Sequence, residues 1–336
     1  MAYMFDMEKE QAIDVVITWV DGADPVHRKK REEYRENKIK FDDIDGETRF
    51  ISVGEIAYCI ASINRFAPFV RKIFIVTDNQ DPGINGKLKD YLSDNFNRII
   101  PMEIVSHETI FKGYEQYLPT FNSISIETML FRIPGLAEHF VYFNDDVVLI
   151  NKTSPETFFE NGKAIAYGYW HTKWTAALLR AIRKKKNGHK SFTLRDSILN
   201  SANLVGLKSK FFRHRHTPHA MSRSILEEIY NTYPNLLEEN IRFRFRDGSQ
   251  FNPQALFQNY ALPKAKADEK PLDGLVFYIR PRKEENYIQE NLSKCDAMQN
   301  ATFLCMNSVD MMKPEDRQML LSWLSKKIGL NKPYLA

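Results

Sequence analysis

Residues 13–20 read IDVVITWV, an almost unbroken run of β-branched and aromatic side chains. A run with so little polar face belongs to a strand covered on both sides, which is the environment of a mainly parallel sheet. It breaks at once into the turn chemistry of DGADP. A second run, KIFIVTDNQDPG (72–83), ends the same way; MEIV (102–105) is a weaker third. FVYFNDDVVLI (140–150) is a further strand, interrupted or ended at its acidic centre. Helical spacing lies between these runs. Residues 26–38 are charged and helical. Ser52 and Glu55 have the spacing of a capping box, opening a helix with Ile56, Cys59, Ile60 and Ile63 on one face. Residues 122–133 repeat the spacing through Ile126, Met129, Leu130 and Ile133. Strand alternating with helix predicts a doubly wound or related α/β sheet.

Beyond about residue 160 the pattern changes. TKWTAALLRAIRKKKNGHK (172–190) predicts a helix ending in a basic run, either a solvated helix end or a patch that approaches anionic headgroups. Ser224 and Glu227 suggest another capping box, and 314–328 a last helix, with Pro314 in its first turn and Gly329 as its cap. That helix is expected in the core or at a homo-oligomer contact, with docking on a membrane surface as the alternative. We expect one catalytic domain over 1–336, with an α/β core over 12–160 and a mostly helical part over 161–336 that completes the active site.

At 336 residues and 43% hydrophobic content the chain can bury a large core, which argues against disorder. Its 47 Lys and Arg against 43 Asp and Glu leave only +4, and no nucleic-acid-binding motif appears, so no nucleic-acid partner is expected. Cys59, Cys295 and Cys305 form no CxxC or zinc pattern and read as reduced thiols. No apolar run approaches the roughly 20 residues of a membrane span, and the acid-bearing N-terminus is no signal peptide.

Ligands of open α/β sheets gather beyond the carboxyl ends of the strands. Asp21 and Asp24 follow the first run, Asp78 the second, and Asp145 and Asp146 interrupt another. Such carboxylates either serve turns and helix caps, as an Asx turn and Pro25 would let Asp24 do, or share a hard divalent cation with a diphosphate. The pair at 145–146, with apolar neighbours on both sides, favours the cation. FFRHRHTPHAMSRS (211–224) sets His214, His216 and His219 in a basic loop. It is a solvated loop, or one histidine is a general base while arginines neutralise phosphate. In IRFRFRDGSQF (241–251), Arg242, Arg244 and Arg246 alternate, so on a strand they would share one face, with Asp247 placed to orient one of them.

These stretches, in this order, resemble the Stealth family of hexose-1-phosphate transferases. IDVVITWVDGADP is similar to its first block. RFISVGEIAYCIASINRFAPFVRKIFIVTDNQ and LPTFNSISIETMLFRIPGLAEHFVYFNDDVVL resemble the second. HRHTPHAMSRSILEEIY with RFRFRDGSQF resembles the third, and ATFLCMNSVD (301–310) the fourth. The chain departs from the usual second block at Ile51, Ser52, Ala61 and Phe66. The resemblance implies a Rossmann-like or GT-A-like fold. It also implies transfer of a sugar-1-phosphate from a UDP-sugar to a hydroxyl of a lipid-linked or growing glycan, at the inner face of the bacterial membrane. It places Trp19, Asp21, Gly22, Asn122 and Asn144 at the donor, and Asp145 and Asp146 on Mg²⁺ or Mn²⁺, with Asp145 also catalytic. It makes His219 the base, with His216 second, and Arg244 the phosphate clamp. Arg242, Asn203 and Asp247 become further polar contacts. The rivals are a conventional GT-A-type glycosyltransferase and a non-catalytic carbohydrate- or membrane-binding protein.

Overall fold

The computed structural model describes residues 12–34, 53–177, 193–282 and 284–334. The strands in chain order are β1 (Ile13–Thr18), β2 (Ile73–Thr77), β3 (Met102–Ser106), β4 (His139–Asn144), β5 (Val147–Leu149), β6 (Phe159–Glu160), β7 (Lys163–Thr172), β8 (Lys210–His214), β9 (His219–Ser222), β10 (Ala267–Lys270), β11 (Val276–Ile279) and β12 (Phe303–Met306). The central sheet runs β3-β2-β1-β4-β9. Its first four strands are parallel and β9 closes the edge antiparallel to β4. The strand order reverses direction at β1, so the crevice between the ends of β1 and β4 is the topological switch point of a Rossmann-like sheet. The expected α/β fold is present.

The two apolar runs expected to be covered on both faces are so covered: Val15, Val16, Ile17, Ile73, Ile75 and Val76 are all buried. The exception within β1 is Asp14, fully enclosed. Its carboxylate accepts from Arg71 Nε at 2.8 Å and from the backbone N–H of Ala137 at 2.7 Å. A buried carboxylate is tolerable only with such donors. Here they tie the start of β1 to the segments that enter β2 and β4.

The run at 140–150 does end at its acids, and the chain changes sheet there. β4 stays in the central sheet, whereas β5 joins a second one, β11-β12-β5. A third group joins β10, β7 and β6, with β8 paired to β7. The second half thus carries the expected helices together with six of the twelve strands. One of them, β9, completes the central sheet, so the two halves share one core that runs from Ile13 to Tyr334.

Ser52 and the basic run beyond residue 177 lie outside the described residues; the helix Glu55–Phe66 opens behind Gly54 at φ 91°. Ser224 caps nothing, because the helix begins at Arg223 and the Ser224 hydroxyl donates to Glu138 at 2.6 Å. Residues 241–251 form no strand. Their carbonyls are taken by distant groups, Asn122 Nδ2 donating to Phe243 O and Phe121 N to Arg244 O, and this wraps the segment around the helix Ser123–Thr128. The final helix is Pro314–Ile328, capped by Gly329 at φ 78°, and buries Leu320, Leu324 and Ile328 in the core. Among the described residues no helix is long and apolar enough to cross a membrane.

Candidate active site

The carboxyl rim of the central sheet can be read strand by strand. Asp78 follows β2 and binds Lys30 at 2.9 Å; His107 follows β3. With Tyr34, Glu108 and Pro119 these line a depression of about 440 Å³. Trp19, Asp21 and Gly22 follow β1. Asp21 turns its own loop, its Oδ1 accepting from Ala23 N at 2.9 Å, and its backbone exchanges two 2.9 Å hydrogen bonds with the Gln80 side chain. Asp24 is the cap that Pro25 suggested, accepting from His27 N at 2.8 Å. Asn144 ends β4, and Asp145 and Asp146 form the half-buried turn into β5.

This turn is electrostatically loaded. Asp145 is pushed well above the usual carboxylate range by burial, by Asp146 and by Glu55. Asp146 is pushed up to about 6 by burial and by Glu55. Glu55, buried at the first position of its helix, is itself raised, mainly by burial. Burial and neighbouring carboxylates thus raise the pKa of all three groups, against the opposing pull of Arg317 on Glu55. Two cysteines flank the turn. Cys305 Sγ donates to Asp146 Oδ2 at 3.7 Å, and Cys59 Sγ to Asn144 O at 3.9 Å. The chemistry of the donor set fits Mg²⁺ or Mn²⁺, both hard ions that take carboxylate oxygens and relieve like-charge repulsion. Among the described residues no group of three or more His, Cys, Asp and Glu side chains is placed to hold a metal ion by itself. An ion that completes its shell with substrate phosphates and water needs none.

His219 lies on the same rim. It opens β9 in register with Tyr142, two residues before Asn144 on the neighbouring strand. Its imidazole is enclosed and has no hydrogen-bond partner among the described residues. Its pKa is held well below the ordinary value by burial and by His214 and His216. The His214 ring stands edge-on to it, centroids 4.3 Å apart. His214 faces two oxygens, Arg215 O at 3.0 Å and Asn252 Oδ1 at 3.1 Å, yet burial outweighs them and lowers its pKa too. Gly168 makes this placement possible. A Cβ there would meet Arg213 O at 2.4 Å, so only glycine lets β7 lie flat against β8 beside His214. His216 reaches solvent, its ring 5.7 Å from that of Tyr278. Tyr278 in turn pairs in register with Cys305, the partner of Asp146. Acids and histidines thus meet on one edge.

The arginines do not meet them there. Arg244 donates to the carbonyls of Gln116 and Leu118 at 3.1 and 2.9 Å and lies over the Tyr34 ring, bracing the wall of the β2–β3 depression. Its Nη2 is committed to these backbone carbonyls, while its Nε is buried with no hydrogen-bond partner among the described residues. Arg246 donates to Ser123, and Arg242 is exposed over Phe243. Asp247 accepts from Ser249 within its own turn instead of orienting an arginine. Asn122 is fully buried as the cap of the helix Ser123–Thr128, accepting from Ile124 N. Asn203 accepts from Lys173 at the exposed end of the helix Leu194–Leu204. Sequence reasoning missed Glu55, taken for a cap, and the Cys305–Tyr278 side of the site, which lies 159 positions from Asp146 and reaches it only through strand pairing.

Three stretches match the regions described as Stealth protein CR1, conserved region 1 (residues 11–39), CR2, conserved region 2 (49–166) and CR3, conserved region 3 (215–262). The capsular polysaccharide phosphotransferase fcs1 of Haemophilus influenzae is 30% identical over 307 residues, covering 88% of this chain and 78% of that protein. The chain belongs to the Stealth family. Stealth regions 1, 2 and 3 contribute Asp21, the Glu55–Asp145–Asp146 cluster and His219 respectively, so the fold brings all three to one rim. The exopolysaccharide phosphotransferase SCO2594 of Streptomyces coelicolor is 30% identical over 328 residues, 96% of this chain. The chain spans about half (51%) of that Stealth relative's length. Among solved structures, the galactosyltransferase LgtC in complex with donor and acceptor sugar analogues aligns over 96% of this chain and 97% of its own, at a TM-score of 0.46 and 8% identity.

Proposed function

We propose that this Stealth protein transfers a sugar-1-phosphate from a UDP-sugar to a hydroxyl of an acceptor glycan in capsule or cell-surface polysaccharide synthesis. Relatives named capsular and exopolysaccharide phosphotransferases support the reaction class. The observation that carries it is the adjacency of the acidic turn after β4 and His219 at the head of β9, on neighbouring strands. Strands are roughly 4.8 Å apart. The β2–β3 depression therefore stands roughly 10–14 Å along the rim from the aspartates, room for a nucleoside at one end and a diphosphate at the other.

In this reading the acceptor hydroxyl attacks the phosphorus that carries the sugar. Its proton passes to His219, the bond from phosphorus to the bridging oxygen breaks, and UMP departs with the electron pair. Asp145 and Asp146 would hold Mg²⁺ or Mn²⁺, which supplies charge neutralisation at the diphosphate when bound. Phosphoryl transfer demands little more than such positioning and neutralisation. A neutral imidazole at physiological pH, as burial enforces here, is the form able to take the proton.

Incubation with a panel of UDP-sugars, an acceptor oligosaccharide and Mg²⁺ should yield UMP and a phosphodiester. UDP with a new glycosidic bond would overturn the reading in favour of a glycosyltransferase. Asp145→Asn and Asp146→Asn should each lose at least a hundredfold in turnover. Mg²⁺ should raise the thermal midpoint of the wild type but not of these variants; near-normal turnover in both would remove the metal assignment.

A further inference from the structure

We infer that the cleft beside the histidine loop is the acceptor subsite, where a pyranose ring of the glycan packs against Tyr169 and Tyr278. The inference rests on the transfer reaction proposed above and names where, and by what chemistry, that reaction takes its acceptor. The cleft encloses about 490 Å³ between the β7–β8 pair and β11. Tyr169, Leu194, Leu272, Val276 and Tyr278 supply its apolar lining, and no acidic side chain lines it. A cleft of this size, mainly apolar with a few polar groups, is the usual form of a small-ligand site. A pyranose suits it because the faces of the ring carry mostly C–H bonds while the hydroxyls project from its edge. The C–H face packs on an aromatic ring, and the hydroxyls turn to polar neighbours. Arg215 and His216, also in the lining, supply donors for them.

Both tyrosines are accessible, Tyr169 at 39% and Tyr278 at 37% exposure. The Tyr169 hydroxyl donates to Asp273 Oδ1 at 2.7 Å and accepts from Leu272 N at 3.3 Å, which tethers the ring at its tip. The ring is thus a fixed platform whose own polar group is already spent. Tyr278 joins the cleft to the transfer centre. It pairs in register with Cys305, the donor to Asp146, and its ring lies 5.7 Å from that of His216. The position also fits the direction of attack. In phosphoryl transfer the attacking and leaving oxygens lie roughly in line across phosphorus. The depression proposed for the nucleoside is on the β2–β3 flank of the rim, and the acidic turn and His219 follow at β4 and β9. The cleft comes next, beyond β9, against which β7 packs. An acceptor there meets phosphorus from the side opposite to the departing UMP, with His219 at hand for its proton. A nucleobase also stacks on tyrosine, but a nucleoside in this cleft would set the leaving group on the same flank as the base.

Saturation-transfer NMR on the full chain reads this subsite without any turnover. The probes are the methyl glycosides of glucose, galactose, mannose, N-acetylglucosamine and N-acetylgalactosamine at millimolar concentration. At least one should bind, with saturation strongest at its ring C–H protons. Its Kd should rise about tenfold in Tyr169→Ala and in Tyr278→Ala, the range of one lost aromatic contact. Tyr169→Phe keeps the ring but loses the bonds to Asp273 and Leu272, so it should retain most of the affinity. UMP affinity, read by calorimetry, should be unchanged in all three variants, which also shows that they fold. Absence of binding by every probe would overturn the inference, as would affinity that survives both alanine substitutions. Loss of UMP binding in the alanine variants would overturn it too, making the cleft the nucleoside site. If tyrosine-dependent glycoside binding is found but turnover releases UDP, the reaction proposal fails and the subsite stands. If turnover yields UMP while glycoside binding ignores the tyrosines, the subsite fails and the reaction stands.

Discussion

His219 owes its availability to its setting. It is buried against His214 and has no hydrogen-bond partner among the described residues, so its imidazole is neutral and uncommitted at pH 7. A donor diphosphate drawn to the neighbouring aspartates would raise its pKa, bringing the base closer to the pH at which it works. His219→Ala should therefore lose about 10²–10⁴-fold in transfer while donor affinity, read by calorimetry, stays within about twofold. His216→Ala should cost far less, because His216 stands toward solvent; if it is the inactive variant, the base is misassigned. At this scale the sequence spoke clearly where a residue sat in improbable surroundings. Two acids between apolar triplets had to be compensated by something. It misled where two roles share one pattern: Glu55 fits a capping box, yet the same carboxylate stands against Asp145 and Asp146.

The strands of the parallel core could be read from their composition, since a run covered on both faces carries little polarity to confuse it. The alternating arginines show why other elements could not. Arg-Phe-Arg-Phe-Arg has the period of a strand, but its Phe243 carbonyl is claimed by Asn122 and Ser125 and its Arg244 carbonyl by Phe121 N, all far away in sequence. Only the assembled fold reveals that competition. Likewise β9 and β12, both short, gain their places by closing an edge and by pairing with β5. Asp14 gives a measurable contrast within one element. Like Asp145 it is an acid on the central sheet, but it sits at the opposite end of its strand and is satisfied by Arg71 and Ala137 N. Arg71→Ala would leave that carboxylate enclosed without its cation, and losing one partner of a buried pair costs about 3–5 kcal/mol. With Arg71 partly exposed (41%), we expect the lower end, about 3 kcal/mol, in urea unfolding, with donor affinity retained. A loss under about 1 kcal/mol would mean that Asp14 is stabilised by backbone donors alone.

For the molecule as a whole, several buried titratable groups, among them His107, His219 and Asp146, lie on the ligand side of the sheet, so stability and site share a pH dependence. His107, enclosed at the end of β3, has its pKa lowered to about 4, first by burial and then by His27 and Lys30, against the pull of Asp78. Its unfolded value is near 6.5, so as pH falls the unfolded chain takes up the proton first. The stabilisation from keeping His107 neutral is complete above about pH 6.5 and is lost progressively as pH falls toward about 4. Over that window it amounts to roughly 3 kcal/mol, at about 1.4 kcal/mol for each pH unit. Asp146 and Glu55, whose pKa values are raised, act in the opposite sense, so the wild-type profile mixes the two. The difference between wild type and His107→Gln separates them, because the amide keeps a polar side chain there without a proton to gain. Urea unfolding at half-unit steps from pH 7 to 4.5 should show the wild type losing stability more steeply than the variant by about 1 kcal/mol for each pH unit. Parallel profiles would mean that His107 is protonated in the folded protein, held by Asp78 as an ion pair at the floor of the β2–β3 depression.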